Sequence, residues 1–401
     1  MRNKNFIKDI ALVLVGFVAA VALISFVPLP LPGGSVVLSG RDYDNLQAFK
    51  KLNDIKTILS KGYVSDVDTN KLYDGAFKGM AASLNDPYTV YMTEKEYSDF
   101  MTETTGNYAG VGLVVSADDK GNIVVVSPIK GSPAETAGIR ALDIITEVDN
   151  KKVSGKDLDA AVAMMKGKAG TTVKVTITRE GAKQPLDFNI KRAIIKLETV
   201  SYEKLNDDIG YIRLTMFDEH SDEDFKNAVN KLKSQNIKGL IIDLRDNPGG
   251  LLNVCVNIAD EILPKGTVVY TEYRDGKKDY SYSDAKSLGL PLVVLVNGGS
   301  ASASEILSGA IRDNGAGTLI GTKTFGKGLV QTTYKFDDGS GLKYTIAKYY
   351  TPKGTDIQGK GITPDVVVQL PEELQQESNI PKDKDTQLIK AVEVLKQKIS
   401  R

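Results

Sequence analysis

The stretch VNGGSASASEILSGAIRDNGAGTLIGTKTFGKGLVQT, residues 296–332, decides how the rest of the chain is read. It opens where the apolar run Leu292–Val296 meets Asn297-Gly298-Gly299, which reads as a buried strand running into a sharp turn. Serines follow at 300, 302 and 304. From about Ala303 to Arg312 the apolar residues Ile306, Leu307, Ala310 and Ile311 recur at helical spacing. The serines therefore stand at a strand-to-helix turn. There the unpaired N–H groups of the first helical turn and the helix dipole favour a developing negative charge.

A nucleophilic hydroxyl needs a base. The chain holds one histidine, His220, in MFDEHSDEDF between an expected strand (210–216) and a helix expected to be capped by Ser221; a solvated loop is its expected place. That leaves lysine as the base of any serine protease here. A lysine must be neutral to accept a proton, so its ordinary pKa of about 10.4 has to fall by about three units, a cost of roughly 4 kcal/mol that desolvation can supply. Lys327 lies between Gly326 and Gly328 beside Leu329 and Val330, with few local groups to keep it charged. Gln331, four residues on, is placed to hydrogen-bond and orient the amine. On the residues alone two readings stand, because serine clusters are commonly turns or helix caps and a GKG is commonly an exposed hairpin.

The run SASASEIL followed by TFGKGLVQT resembles the signature of the C-terminal processing peptidases, the tail-specific Ser/Lys proteases. The resemblance implies Ser302 as nucleophile, Lys327 as general base and Gln331 as the residue positioning the lysine. It leaves Ser300 and Ser304 as turn and cap residues and gives Asp313 at most a supporting role. The segment IDLRDNPGG at 242–250 resembles the family's LDLRxNPGG, and implies that an amide of the Gly249-Gly250 pair joins that of Ala303 in an oxyanion hole. Either glycine fits that role. The strand-turn-helix pattern agrees, since 239–244 reads as a buried strand and 251–263 as an apolar helix.

Length and composition bound the rest. At 401 residues, 41% hydrophobic and 25% charged, the chain suits two or three domains, and its net charge of zero gives no sign of a nucleic-acid partner. Cys255 is the only cysteine, so no intramolecular disulfide forms; its apolar neighbours favour a buried role. One histidine and one cysteine make no zinc-type cluster, and the resemblance calls for no cofactor.

Five segments are expected. Residues 1–34 hold a membrane anchor and linker: 10–27 is apolar or small apart from Ser25, with Arg2, Lys4 and Lys8 before it, so the amino terminus is expected in the cytoplasm and the rest outside. A cleaved signal peptide is the alternative, which would give a secreted form. Residues 35–105 read as helical, with apolar stripes through Leu46, Phe49, Leu52, Ile55, Ile58 and Leu59 and through Leu72, Ala76, Met80 and Leu84. Their expected role is packing and possible homodimer formation, without chemistry.

Residues 106–193, with SPAETAGI and ALDIITEVDN, resemble a PDZ domain, in which Leu142-Asp143 replaces the usual Gly-Asp. The implied carboxylate nest is Gly110-Val111-Gly112-Leu113, holding the terminus of an extended peptide. Residues 194–370 form the protease core, and 371–401 a tail with an amphipathic helix. The expected fold is thus multidomain α/β: helical N-terminal region, PDZ domain and a ClpP/crotonase-like core. The expected function is a membrane-anchored serine endopeptidase outside the cytoplasmic membrane, acting on polypeptides with accessible C-terminal tails; the alternative is a catalytically inert PDZ scaffold.

Overall fold

The computed structural model describes residues 40–205, 208–284, 287–375 and 380–400. The expected anchor and linker lie outside them, and among the described residues no helix is long and apolar enough to cross a membrane. Two compact units result, Met1–Asn85 and Asp86–Arg401. In the first, helices α1 (Gly40–Gly62) and α2 (Thr69–Ala82) are joined by a bond from Lys56 Nζ to the Tyr73 hydroxyl (3.0 Å), and Asp68 caps α2 by accepting the Asn70 N–H. The apolar stripes are read correctly as helical periodicity but are largely uncovered: Phe49, Ile58 and Met80 are 69%, 68% and 74% exposed.

The larger unit begins with β1 (Val90–Met92) and α3 (Glu94–Thr105), the latter started by a reciprocal Thr93–Glu96 capping box. A ribbon then leads into and out of the PDZ-like domain: β2 (Asn107–Gly110) pairs with β9 (Ala193–Lys196). Between them run β3 (Leu113–Ala117), β4 (Ile123–Pro128), α4 (Pro133–Ala137), β5 (Ile144–Val148), β6 (Lys151–Lys152), α5 (Leu158–Met165), β7 (Thr172–Thr178) and β8 (Leu186–Lys191). The sheet order β3-β4-β5-β7-β8 leaves β3 on an edge. Its core is β-branched, with Ile123, Val125, Ile145, Val173, Val175 and Ile177 fully buried.

At the Leu142-Asp143 departure the turn keeps its form because Leu142 itself takes the left-handed conformation (φ +70°), with its side chain 78% exposed. Asp143 is buried. It accepts the Arg140 N–H (2.8 Å) and two bonds from the Arg179 guanidinium (2.7 and 2.8 Å). Burial pushes its carboxyl up, but those bonds outweigh burial and hold it below the ordinary range.

The core sheet is built from β10 (Val200–Lys204), β11 (Ile209–Leu214), β12 (Gly239–Asp243), β15 (Leu292–Val296), β16 (Thr318–Gly321) and β19 (Val366–Val367) in the order β10-β11-β12-β15-β16-β19, parallel from β11 onward. Helices α6 (Ser221–Ser234), α7 (Leu252–Ile262) and α8 (Ala303–Asp313) cover one face; α9 (Thr386–Ile399) covers the other. Alternation sorts the residues. Leu240, Ile242, Val294 and Val296 meet the three-helix side, while Ile241, Val293 and Leu295 meet Leu388, Ala391 and Leu395 of α9. With both faces covered, the strands are continuous apolar runs. A second sheet, β1-β18-β13-β14, contains β13 (Gly266–Tyr273), β14 (Lys278–Ser283) and β18 (Gly341–Tyr350), and β17 (Leu329–Lys335) pairs with β18.

Helix α9 is fastened by charge as well as by apolar contact. Arg245, just beyond β12, bonds Asp243 (Nη2–Oδ2 2.6 Å) and Asp385 (2.8 Å), and Asp385 caps α9 through the Gln387 and Leu388 N–H groups. Tyr211 adds a 2.7 Å bond to Asp243. All three charges are buried, so removing the cation strands two carboxylates. Arg245→Met is therefore expected to cost about 3–5 kcal/mol, read as a lower urea midpoint for the core transition. Leu142→Gly is expected to act in the other direction. It relieves about 1–2 kcal/mol of left-handed strain against roughly 0.5–1 kcal/mol of glycine entropy, so calorimetry of the PDZ transition should show a small rise in melting temperature.

Candidate active site

Strands β12 and β15 are parallel neighbours, so the turns after them emerge side by side at their C-terminal ends, the usual place for a site in such a sheet. The two turns are stitched together. Ser300 Oγ donates to the Leu244 carbonyl (2.7 Å), the Ala301 N–H and Ser304 Oγ both donate to the Asn247 carbonyl (3.0 and 2.9 Å), and Asn297 bonds Asp246 twice. Ser300 and Ser304 are buried in this seam.

Ser302 is the serine left facing outward, and it is held in a sparse backbone region (φ +54°, ψ −114°) immediately before α8. A non-glycine residue persists there only when its surroundings impose it. Gly249 supplies part of the constraint: a Cβ at that position would lie 2.8 Å from both the Ala301 carbonyl oxygen and Ser302 Cβ. The Gly249 N–H is already given to Asn247 Oδ1 (2.9 Å). Cys255 lies beneath the turn with its thiol on the Ala303 carbonyl (3.2 Å), and complete burial pushes that thiol up. It is no nucleophile.

Lys327 comes from the loop between β16 and β17. Gly326 (φ +97°) packs against the 358–361 segment, where a Cβ would fall 2.9 Å from the Gly361 N–H nitrogen, so the GKG is an inward-folded loop rather than an exposed hairpin. Desolvation and the nearby Lys343 charge lower the Lys327 amine below the ordinary lysine value; Asp86 and Glu305 oppose them. The amine lies 4.9 Å from the centre of the Tyr88 ring.

Ser302, Ala303, Gly250, Lys327 and Gln331 all line one cavity of about 390 Å³. Gly249 lies behind Ser302, and Gly110, Val111, Gly112 and Leu113 stand apart, at the start of the PDZ edge strand. Among the described residues no hydrogen bond joins Gln331 to the Lys327 amine. It faces Thr345 in the β17–β18 register, and its amide nitrogen bonds the Thr345 hydroxyl (3.4 Å).

Several residues of the site were not singled out from the sequence. Glu305, fully buried, accepts the Ser302 N–H (3.1 Å) and Lys327 N–H (2.8 Å) on one oxygen and the Thr324 hydroxyl (2.6 Å) and Gly326 N–H (2.8 Å) on the other. A signal existed: Ser302-x-x-Glu305 is the capping-box pattern at a helix start. Tyr349 is buried between the two catalytic candidates, donating to the Lys327 carbonyl and contacting the Ser302 side chain; burial raises its hydroxyl well above the usual tyrosine range. Phe100, Met101 and Thr104 of α3, a segment expected to carry no chemistry, form one cavity wall.

His220 sits in the turn before α6, as expected, but is half-buried rather than solvated. Its Nε2 meets Asn107 at 2.9 and 3.1 Å. Ser221 follows it as the first residue of α6, its hydroxyl turned back to the Met216 carbonyl and Asp218 rather than capping the helix. Among the described residues no group of three or more His, Cys, Asp or Glu side chains is placed to hold a metal.

The comparisons with known proteins agree with this architecture. The Peptidase family S41 model matches residues 208–368, the PDZ domain model residues 108–190, and the model for the activating protease CtpB N-terminal domain residues 37–96. The carboxy-terminal-processing protease of Bartonella bacilliformis is 41% identical over 343 residues, 84% of this chain and 78% of that protein. The carboxy-terminal processing protease CtpA of Bacillus subtilis is 39% identical over 372 residues, 92% and 78% of the two chains. A solved putative S41 protease from Bacteroides fragilis shares the fold at 15% identity, with a TM-score of 0.51 over 86% of this chain and 97% of that one. The chain belongs to peptidase family S41: it is a C-terminal processing serine protease of the Ser/Lys class, carrying a PDZ domain and a helical N-terminal domain.

Glu305 offers four acceptor sites to four donors, a demand that only a carboxylate meets. Glu305→Gln turns an NH₂ group toward two of those donors. It should lower kcat/KM about a hundredfold through misplacement of the reacting groups, with an unchanged circular dichroism spectrum; a peptide-cleavage assay checks this.

Proposed function

We propose that the protein is an endopeptidase anchored in the cytoplasmic membrane, cutting polypeptides outside it that are selected by their C-terminal tails, with Ser302 as nucleophile and Lys327 as general base. The observation that carries this reading is the shared cavity: a serine on a strained turn at a helix N-terminus and a desolvated lysine open into the same space. In the reaction, neutral Lys327 accepts the Ser302 proton as Oγ attacks the peptide carbonyl. The ammonium then protonates the leaving amine, and water cleaves the acyl-enzyme. Gln331 orients the amine once it leaves Thr345.

For the oxyanion the Ala303 N–H is the proposed donor from α8. Gly250 is the proposed partner, because the Gly249 N–H is committed to Asn247 while Gly250 lines the cavity. Such a donor is worth about 3 kcal/mol in the transition state.

The tail is proposed to add to the open edge of β3, its carboxylate held by the amides at Gly110-Val111-Gly112-Leu113. The edge position of β3 supports this, as does the use of the carbonyls rather than the N–H groups of Val111 and Gly112 in binding Ala134 and Ile129. Capture there raises the local concentration of substrate and gates the dyad. The membrane location rests on the apolar run at 10–27 and its basic flank. A second copy of the chain is the proposed cover for the exposed apolar stripe of α1.

Two variants test the dyad. Ser302→Ala and Lys327→Ala should each lower kcat/KM on an unfolded protein with an apolar tail by roughly 10⁴-fold while leaving tail binding intact. In the parent, activity should rise with pH along a limb set by Lys327. Because burial lowers that amine, the limb lies below the ordinary lysine value, and it disappears in Lys327→Ala. Full cleavage by Ser302→Ala would refute the assignment.

A further inference from the structure

The geometry points to Asp86 and Tyr88 as positioning residues of the protease site, holding the Lys327 amine and, through Thr345, the Gln331 carboxamide in a resting arrangement. This inference rests on Ser302 and Lys327 being nucleophile and base. Among the described residues no hydrogen bond joins the Lys327 amine to Ser302 Oγ; the amine sits instead over the Tyr88 ring, 4.9 Å from its centre, where a cation is attracted.

Asp86, two residues earlier, is a fully engaged carboxylate. It accepts the Tyr88 N–H (3.0 Å) on one oxygen, and the Thr89 and Thr345 hydroxyls (2.7 and 2.6 Å) on the other. The Thr345 N–H returns a bond to Thr89 Oγ1 (3.2 Å). Having given its proton to Asp86, the Thr345 hydroxyl has only lone pairs to offer, and these take the Gln331 amide nitrogen. One carboxylate thus fixes both the field at the base and the orientation of its partner.

The charges around the amine come from three elements. Asp86 approaches from the segment before β1, Glu305 from α8, and Lys343 from β18, with the buried Tyr349 also on β18. Glu305 is committed to four donors within the core. Asp86 is different, because it is the first residue of the larger unit and follows the two-helix unit directly along the chain. Burial pushes its carboxyl up, yet the bonds from Thr345, Thr89 and Tyr88 and the Lys327 charge hold it below the ordinary range, so it stays an anion through the working pH range. Withdrawal of the 86–89 segment removes the anion, the ring and the anchor of Thr345 together. That leaves burial and Lys343, which favour the neutral form of the lysine, opposed by Glu305 alone, and frees Gln331.

The test is the pH dependence of kcat/KM for the full chain on a peptide with a free apolar C-terminus, comparing parent, Asp86→Asn, Tyr88→Leu and Lys327→Ala. Asp86→Asn should move the acid limb down by about half to one pH unit, which is about three- to tenfold more activity below the parental limb, with KM changed less than about twofold. Tyr88→Leu should move it in the same direction and keeps the test decisive if circular dichroism shows that Asp86→Asn does not fold. A purely structural role lowers kcat at every pH and leaves the limb in place; that result in the folded variants overturns the inference. A limb that survives Lys327→Ala overturns the dyad and this inference with it, whereas a limb lost there but fixed in Asp86→Asn and Tyr88→Leu overturns the inference alone.

Discussion

The buried Glu305 carboxylate is the tie on which the site depends. Parallel pairing of β12 and β15 places two turns side by side, and a seam of serine and asparagine bonds fixes the Ser302 turn against the glycine turn. Nothing in that pairing locates Lys327, which arrives from a loop beyond β16. Glu305 supplies the missing constraint by binding the backbone N–H groups of Ser302 and of Lys327 with the same oxygen. Burying a carboxylate is costly when its lone pairs go unmet. Here all four are met, three of them by the loop that carries the lysine, so loop and helix fold as one piece.

The electrostatics of the Lys327 amine follow from the same construction. Burial lowers the Lys327 amine, and a second lysine across the cavity lowers it further, while two carboxylates pull the other way. One of those carboxylates cannot leave without dismantling the turn. The other belongs to a short segment at the boundary of the unit. The balance between ammonium and amine is therefore set by groups from three separate parts of the chain, Asp86, Glu305 and Lys343, around one buried amine.

Much of this was legible in the sequence, for identifiable reasons. The runs at 239–243 and 292–296 are apolar throughout because both sheet faces are covered, and each ends in a glycine-bearing turn, so strand-turn-helix units stood out. The β-branched texture of the PDZ segment and its Ser132-Pro133 helix start were equally local. Glu305 was visible only as half of a capping box; its second role, toward residues 324–327, depends on a loop closing over it. Lys343 and Tyr349 carry no local pattern, and although Asp86 bonds Tyr88 and Thr89 locally, the contacts that tie Asp86 and Tyr88 to the site, to Thr345 and Lys327, lie more than two hundred residues away. His220 was misjudged for the same reason: its partner, Asn107, is 113 residues distant. Leu142 shows the reverse case, a residue that breaks the usual turn composition while the backbone keeps its form at the cost of strain.

The path between the peptide edge and the cavity is short and covalent. Helix α3 lines the cavity with Phe100, Met101 and Thr104, ends at Gly106 and continues at once into β2, whose last residue, Gly110, opens the proposed carboxylate nest. Each step is pinned to the core: the Leu197 N–H binds the Gly106 carbonyl, Gly106 packs on Asp218, and Asn107 meets His220 at the start of α6. Asp218 in turn holds the His220 N–H and the Ser221 hydroxyl, so the ribbon and the start of α6 share one network. In the proposed mode of capture a tail on β3 meets residues 110–113, and β2 leads from them back to α3, the helix that forms the cavity wall. Because protein interiors repack between discrete arrangements rather than deforming smoothly, a shift of that helix changes the cavity in a step. For the proposed coupling of tail capture to cleavage, α3 and the β2–β9 ribbon are the covalent link between the PDZ edge and the cavity wall.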